Sequence, residues 1–305
     1  MRELLKRWDI GEIGTISPTS TGGGKTWIVT AAGGSFVLKV SDMARSEREY
    51  AALRRLSATQ MPIAFPLATV DGSWHATRDG GDICCLYPKL PGRVIVDHFD
   101  GNAAERARGF GRAIALLHEC FRQTGDARES PRMDLIEHVD EWALPIIRRA
   151  EPAVNSQAVE RAWQKARSEL EPIYCDLPQQ LIHRDAHTSN MLFDGAELTG
   201  FLDFEMTRRG PRVFDVCYCA SGILDEGFED PSKAQDWLGL LRALINGYEE
   251  GSLLTIPEHA AVPGILVAIE LLFIAYWVDV GYGDAAAKTT RLLRWLEAHR
   301  DSLMT

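Results

Sequence analysis

The sequence predicts an α+β protein of two lobes, with a small strand-rich lobe before a larger, mostly helical one. Two β-rich runs joined by a Gly-containing turn at 26–40, TWIVTAAGGSFVLKV, indicate an early hairpin. A stretch with two prolines and a glycine at 88–92 then breaks the chain, and helical periodicity follows it. These observations predict an N-lobe at 1–88 and a C-lobe at 89–305.

The elements can be placed in order along the chain. In the N-lobe, SEREYAALRRL at 46–56 has the composition of a helix, and DICCLY at 82–87 is a short apolar strand. A strand-containing island is expected at 180–204. Helices are predicted at 103–121, 134–150, 155–171, 233–250, 260–280 and 286–300.

The composition is that of a folded, acidic protein. Of the 305 residues, 46% are hydrophobic and 25% are charged, which is close to the globular average and argues against disorder. The net charge of -10 and the absence of a basic stripe argue against a nucleic-acid partner. The six cysteines have neither a C-x-x-C pair nor zinc spacing, so we expect reduced thiols and a cytoplasmic protein.

One apolar stretch, VPGILVAIELLFIAYWV at 262–278, approaches the length of a membrane span. Pro263 lies near its start and Glu270 in its middle, and both disfavour a span. Residues 1–14 also lack the apolar run of a secretory signal. We therefore expect a buried helix of the C-lobe and no membrane partner.

The strongest chemical signal is the segment 181–205, LIHRDAHTSNMLFDGAELTGFLDFE. Asp185 follows a short apolar run, Asn190 comes five residues later, and Asp203 ends another apolar run. Phosphoryl transfer needs one carboxylate to orient the attacking hydroxyl, and an amide oxygen with a second carboxylate to hold magnesium against the phosphates. The segment therefore indicates a kinase that uses Mg²⁺ and ATP.

This segment resembles the aminoglycoside phosphotransferase and choline kinase superfamily, which includes homoserine kinase-type members. That family has H-G-D-x-x-x-x-N followed by D-F/W-E/G, and this chain has HRD at 183–185 and DFE at 203–205. The resemblance implies a bilobal protein-kinase-like fold. It also implies Asp185 as catalytic base and Asn190 and Asp203 as magnesium ligands.

The same resemblance also bears on Arg184, His183 and Asp215. Arg184 replaces the commoner glycine, as in the H-R-D form of protein kinases. His183 is expected to brace the loop rather than to react, and Asp215 in VFDVCY is expected to be structural.

The family also has a strand lysine that reaches the α- and β-phosphates, and Lys39 in SFVLKV matches it. Its carboxylate partner is predicted to be Glu49, with Glu47 as the alternative. Without the resemblance, Lys39 would be a surface lysine and Glu49 a solvated helix charge.

A glycine-rich turn, TSTGGGKT at 19–26, precedes the hairpin. The Walker pattern requires glycine where Thr19 stands, and it joins a strand to a helix, so that interpretation fails. We predict instead that Gly22, Gly23 and Gly24 cover the phosphates with backbone N–H groups. A merely flexible turn is the alternative.

The acceptor site is the least determined feature. Glu270, Phe273 and Trp277 share one helix face, and a carboxylate beside aromatic rings suits an amine or quaternary ammonium. Glu270 and Trp277 are therefore candidate substrate-binding residues. A core helix with one paired glutamate is the favoured alternative.

The sequence thus predicts a small-molecule kinase acting on an amino alcohol, an aminoglycoside-like substrate or a hydroxy amino acid. A nucleotide-binding pseudokinase-like module is a second hypothesis, although the base, lysine and metal-ligand positions are all occupied. A protein Ser/Thr kinase is a third, disfavoured because no A-P-E sequence follows Asp203. The acceptor, a GTP preference and the oligomeric state are left open.

Overall fold

The computed structural model describes residues 1–19, 25–78, 80–125, 130–150 and 154–303. The chain divides into two compact units, each built from two segments. The N-terminal unit comprises Met1–Val94 and Asn190–Thr207, and the helical unit comprises Ile95–Ser189 and Arg208–Thr305. A single functional boundary between residues 88 and 89 stays a prediction.

The strands, in chain order, are β1 Ile13–Pro18, β2 Thr26–Ala31, β3 Gly34–Ser41, β4 Ala76–Thr77, β5 Ile83–Pro88, β6 Gln179–Ile182, β7 Met191–Asp194, β8 Glu197–Phe201 and β9 Arg208–Pro211. The helices are α1 Arg2–Leu5, α2 Met43–Leu56, α3 Ala103–Gln123, α4 Leu135–His138, α5 Leu144–Arg148, α6 Ser156–Tyr174, α7 Val213–Gly227, α8 Pro231–Glu249, α9 Ile256–Asp279 and α10 Gly283–Ala298. A π-helical turn, Val139–Ala143, joins α4 to α5.

The N-terminal unit is built on an antiparallel sheet of order β1-β2-β3-β5-β4. The expected hairpin is confirmed as β2 and β3, with a two-residue turn between paired Ala31 and Gly34. Phe36, Leu38 and Val40 of β3 are buried in the core of this unit. Because side chains alternate along a strand, this pattern turns Lys39 to the opposite face of the sheet.

The second segment of the N-terminal unit contains the β7–β8 hairpin, with Gly195 at a positive φ of 60° in its turn. The Phe201 N–H donates to the Pro62 carbonyl at 2.9 Å, and Phe193 and Arg93 exchange backbone hydrogen bonds of 2.9 and 3.0 Å. These bonds attach the segment to the first part of the unit. They also fix the position of the end of β8, after which Asp203 follows.

The helical unit confirms helices near all six predicted positions. In its short β6–β9 pair, β6 overlaps the predicted strand region at 180–204, whereas β9 lies beyond it. The helix α7 was not predicted. Its first residues, VFDVCY, are rich in β-branched and aromatic side chains, which favour strands. Tertiary burial overrides that preference, since Val213, Phe214 and Val216 are all at most 1% exposed.

The helix α9 contains the apolar stretch of the sequence. It begins with a capping box between Thr255 and Glu258, and most of its residues as far as Ala275 are buried. Among the described residues it alone is long and apolar enough to cross a membrane, and 72% of its most apolar window is buried within the protein. This burial agrees with the expected core helix.

Candidate active site

Lys39 is surrounded by carboxylates within the N-terminal unit. Its Nζ lies 2.7 Å from Asp203 Oδ1, 3.0 Å from Glu49 Oε2 and 3.2 Å from Glu205 Oε2. Glu49 is thus the carboxylate of α2 that contacts the lysine, whereas Glu47 is exposed. The four side chains form what we call the Lys39 cluster.

The charges of the Lys39 cluster do not balance. Burial disfavours the charged lysine, but Glu49, Asp203 and Glu205 outweigh burial and raise its pKa well above the ordinary value. Burial, together with the neighbouring Asp203 and Glu205, raises the pKa of Glu49 although Lys39 acts against this. With all its groups ionised, the cluster has three negative charges and one positive charge, and Arg45 beside Glu205 reduces this excess to one negative charge, which favours a further cation.

Asp203 lies directly after β8 with a left-handed backbone, φ 64°. The Leu202 N–H donates to the Asn190 carbonyl at 2.8 Å, so the two predicted metal ligands lie on hydrogen-bonded backbone segments. Among the described residues, no group of three or more His, Cys, Asp or Glu side chains is arranged as a complete metal site. That finding is compatible with magnesium, which is usually held by one or two carboxylates together with substrate phosphates.

Glu205 is a member of the cluster to which the sequence assigned no role. Besides Lys39, its carboxylate meets Arg45 Nη1 at 3.2 Å, and its carbonyl accepts from Arg48 Nε at 3.0 Å. Both arginines belong to α2, so these contacts tie the segment after Asp203 to the helix that provides Glu49. The sequence signal that could have identified Glu205 is the acidic residue at the third position of DFE.

In the helical unit, Asp215 braces the loop that contains Asp185. Its side chain is fully buried and accepts from the backbone N–H groups of His183 at 2.7 Å and Arg184 at 2.8 Å. It also lies 3.0 Å from His118 Nε2. The first two contacts join α7 to the loop and the third joins α7 to α3, as a structural Asp215 would require.

The HRD substitution has a backbone consequence. Arg184 has φ 68°, a conformation that glycine adopts without cost and other residues adopt rarely. Its guanidinium lies 3.1 Å from Met133 Sδ and 3.2 Å from His138 Nε2. Burial and the Arg184 charge lower the pKa of His138 to about 4, so this histidine is neutral at physiological pH and repels the arginine little.

Asp185 itself is contacted by a residue that the sequence did not indicate. The Tyr218 hydroxyl donates to Asp185 Oδ1 at 2.8 Å from α7. The Asp185 carbonyl also accepts from the His187 N–H at 2.8 Å, which closes a tight turn. No local sequence pattern predicts a contact between residues that are 33 positions apart.

The two candidate substrate residues lie in different environments of the helical unit. Glu270 is 1% exposed and accepts from the Ser221 hydroxyl at 2.6 Å; burial, the leading cause, raises its pKa to about 8. This is the placement expected for a paired core glutamate. Trp277 is partly buried, with the Tyr282 ring edge-on at 6.0 Å. The predicted Gly22, Gly23 and Gly24 lie outside the described residues.

Comparison with known proteins identifies relatives along most of the chain. The model of the phosphotransferase enzyme family, APH, matches residues 16–254. A homoserine kinase of Neisseria meningitidis serogroup B is 25% identical over 283 residues, covering 92% of this chain and 87% of that protein. A homoserine kinase of Rhodopseudomonas palustris is 25% identical over 298 residues, covering 90% and 82%.

Solved structures share the fold at lower identity. The microcompartment-associated aminopropanol kinase is 18% identical with a TM-score of 0.73, covering 99% of this chain and 97% of that one. The amicoumacin kinase hAmiN, in complex with AMP-PNP, Ca²⁺ and Ami, is 16% identical with a TM-score of 0.71, covering 96% and 95%. The expected bilobal protein-kinase-like fold is thereby confirmed. The chain belongs to the phosphotransferase enzyme family and is a small-molecule kinase, an ATP-dependent phosphotransferase with an alcohol group as acceptor.

Proposed function

We propose that this kinase phosphorylates the hydroxyl of a small alcohol that also has an amine, such as an amino alcohol, a hydroxy amino acid or an aminoglycoside-like sugar. The observation that supports phosphoryl transfer is the Lys39 cluster, because its lysine and excess carboxylates suit a metal–nucleotide complex. The acceptor class is supported by relatives named homoserine kinase and a neighbour named aminopropanol kinase. Homoserine and aminopropanol share one hydroxyl and one amine.

In this proposal the N-terminal unit binds the donor. Lys39 contacts the α- and β-phosphates of ATP and Glu49 orients it, while Gly22, Gly23 and Gly24 offer backbone N–H groups to the phosphates. Asn190 and Asp203 would hold Mg²⁺, and the fit rests on their oxygen donors and on the surplus negative charge beside Lys39. When bound, Mg²⁺ neutralises phosphate charge that would otherwise repel the incoming oxygen.

The helical unit provides the base. Asp185 accepts the proton of the acceptor hydroxyl as that oxygen forms a bond to the γ-phosphorus, and the bond from phosphorus to the β-phosphate bridging oxygen breaks to release ADP. The backbone N–H groups gathered by Asp215 support the loop geometry that this step requires. We place the reaction in the cytoplasm.

We propose that the acceptor amine binds at the C-terminal end of α9, beside a group of aromatic rings. The rings of Tyr276, Trp277 and Tyr282 form edge-to-face pairs, and Asp279 beside them is exposed. Aromatic faces with a nearby carboxylate attract an ammonium group. Glu270, buried and protonated at neutral pH, contributes by fixing Ser221 of α7 rather than by contacting the amine.

The test is an ADP-release assay with MgATP and pairs of acceptors that differ only in the amine: homoserine against 4-hydroxybutyrate, and 1-amino-2-propanol against 2-propanol. An aminoglycoside provides a third acceptor type. We expect at least about a hundredfold higher kcat/KM for an amine-bearing member than for its partner, because a site built for a polar group discriminates strongly against its loss. Equal turnover of both members would overturn the acceptor class.

The matched variant is Asp185→Asn, which keeps the shape of the base and removes its proton affinity. Turnover on the best acceptor should fall by about a thousandfold or more, while MgATP binding measured by calorimetry stays within about twofold. Normal turnover by this variant would remove Asp185 from the proposed role.

A further inference from the structure

Tyr218 occupies a defined place beside the proposed base. From α7 its hydroxyl reaches Asp185 Oδ1 at 2.8 Å. Its ring packs at centroid distances of 5.8 Å from Phe214 of the same helix and 5.5 Å from Phe273 of α9. The phenol is therefore fixed from two helices before it meets the carboxylate.

The direction of this hydrogen bond follows from the chemistry of the two groups. Burial, followed by the charge of Asp185, raises the pKa of Tyr218 well above its ordinary value, so the hydroxyl keeps its proton and acts as donor. A donor on Oδ1 favours the ionised form of a carboxylate. It also restricts rotation of the carboxylate.

We propose that Tyr218 is a positioning residue for phosphoryl transfer, which holds Oδ1 of Asp185 and so orients the ionised carboxylate towards the acceptor hydroxyl. This inference rests on the proposed function, because it takes Asp185 as the base. Tyr218 touches neither the nucleotide nor the reacting atoms in this scheme, and it acts through Asp185 alone.

Other titratable groups lie around Asp185 and bear on any pH measurement. His183 and His187 belong to the same loop, with the charged Arg184 between them in sequence. Asp215 of α7 binds the loop backbone. From α9, the uncharged Phe273 ring packs against Tyr218. Of the two histidines, His187 has its pKa lowered, mainly by burial, so it adds little positive charge near neutral pH.

The test is Tyr218→Phe, which removes one oxygen and keeps the ring packing. We expect kcat to fall about tenfold while KM for MgATP stays unchanged, since a hydrogen bond to a charged group is lost only at the base. The acidic limb of the kcat/KM profile, where the base becomes protonated, should move upward by about one pH unit, because the ionised form loses its donor.

The control is Tyr174→Phe in the same unit, whose hydroxyl accepts from the Leu135 N–H at 2.7 Å. This variant also removes one buried phenolic hydroxyl, so any loss of thermal stability should be similar, but its pH profile should match that of the wild type. A shift of equal size in both variants would make the Tyr218 effect a general consequence of destabilisation and overturn the inference.

A double variant separates the two proposals. In an Asp185→Asn background, Tyr218→Phe should change residual single-turnover rates by less than about twofold, because the side chain that Tyr218 positions can no longer act as a base. If Asp185→Asn is inactive and Tyr218→Phe has a wild-type rate and pH profile, the inference about Tyr218 fails and the proposed function survives. If Asp185→Asn is fully active, the proposed function itself fails.

Discussion

Asp203 in the N-terminal unit and Asp215 in the helical unit show two ways of using a carboxylate. The Asp215 side chain is fully buried and receives two backbone N–H groups in addition to its contact with His118. The Asp203 side chain is 39% exposed and shares one ammonium with Glu49 and Glu205. Asp215 is satisfied by the protein alone, whereas Asp203 belongs to a cluster that is short of positive charge.

This difference teaches how to separate scaffold from ligand site in this fold. A buried carboxylate surrounded by donors contributes to stability, because removing it leaves those donors unpaired. A partly exposed carboxylate in an over-acidic cluster contributes to binding, because a ligand cation lowers the repulsion. Substitution of Asp215 should therefore lower stability, and substitution of Asp203 should lower the affinity for the metal–nucleotide complex.

The largest expected effect is on stability, for Asp215→Ala. Buried backbone donors at His183 and Arg184 lose their acceptor, so we expect the free energy of unfolding to fall by about 3 to 5 kcal/mol. Urea unfolding followed by circular dichroism measures it. Asp236→Ala, an exposed position on α8, is the control and should change stability by less than about 0.5 kcal/mol. A comparable loss in both variants would contradict the role of Asp215 as a brace.

Next in size is Asp203→Ala, where the change should appear in binding. We expect the affinity for MgATP to drop about a hundredfold, while the affinity for ATP without metal changes little, since one source of repulsion is also removed. Calorimetric titrations with and without Mg²⁺ measure both values. Asp194→Ala, exposed at the end of β7, should retain the metal dependence of the wild type. If Asp203→Ala also retains it, Asp203 is not a metal ligand.

Glu270 gives a pH-dependent prediction within the helical unit. Its pKa is about 8 in the folded protein against an ordinary 4.5, so the folded state binds a proton that the unfolded state has released between these values. Stability should therefore fall as pH rises through this window, by about 2 kcal/mol between pH 6 and pH 8 from this group. Glu270→Gln, which keeps a hydrogen-bonding oxygen for Ser221, should remove that component from urea unfolding measured at both pH values. An unchanged pH slope would mean that Glu270 is ionised when folded.

The smallest effect concerns the backbone at Arg184. Arg184→Gly and Arg184→Ala both remove the guanidinium contacts, but only glycine adopts φ 68° without strain. We expect the glycine variant to be more stable than the alanine variant by about 1 kcal/mol, measured by thermal unfolding. The opposite order would show that the loop does not keep its left-handed backbone in solution.

Much of the site could be predicted because its candidate catalytic and metal-binding residues lie close together in the sequence at a recognisable spacing. Asp185, Asn190 and Asp203 stand within nineteen consecutive residues, and each follows or opens an apolar run. Lys39 could be found because SFVLKV matches the strand lysine of the resembling family. The alternation of buried residues in β3 is consistent with its place opposite the core. Their assigned roles remain predictions until the variants are measured.

Other features could not be read from local patterns. Helix α7 was missed because strand-favouring residues at its start were overridden by burial. Tyr218 and Glu205 were not singled out, since each contacts a partner distant in the chain: Tyr218 contacts Asp185, and Glu205 contacts Lys39. Such contacts depend on how helices and strands pack, which no short window contains.

The sequence by itself determined the fold class, the family and the loop that contains the candidate chemistry, because periodicity and motif spacing are local properties. Only the tertiary structure decided how charge is distributed around those residues. It showed that Lys39 faces three carboxylates, that Asp215 is fully buried among donors, and that Glu270 is buried against Ser221. The physical reason is that solvation and pairing set the state of an ionisable group, and both depend on neighbours brought together by folding.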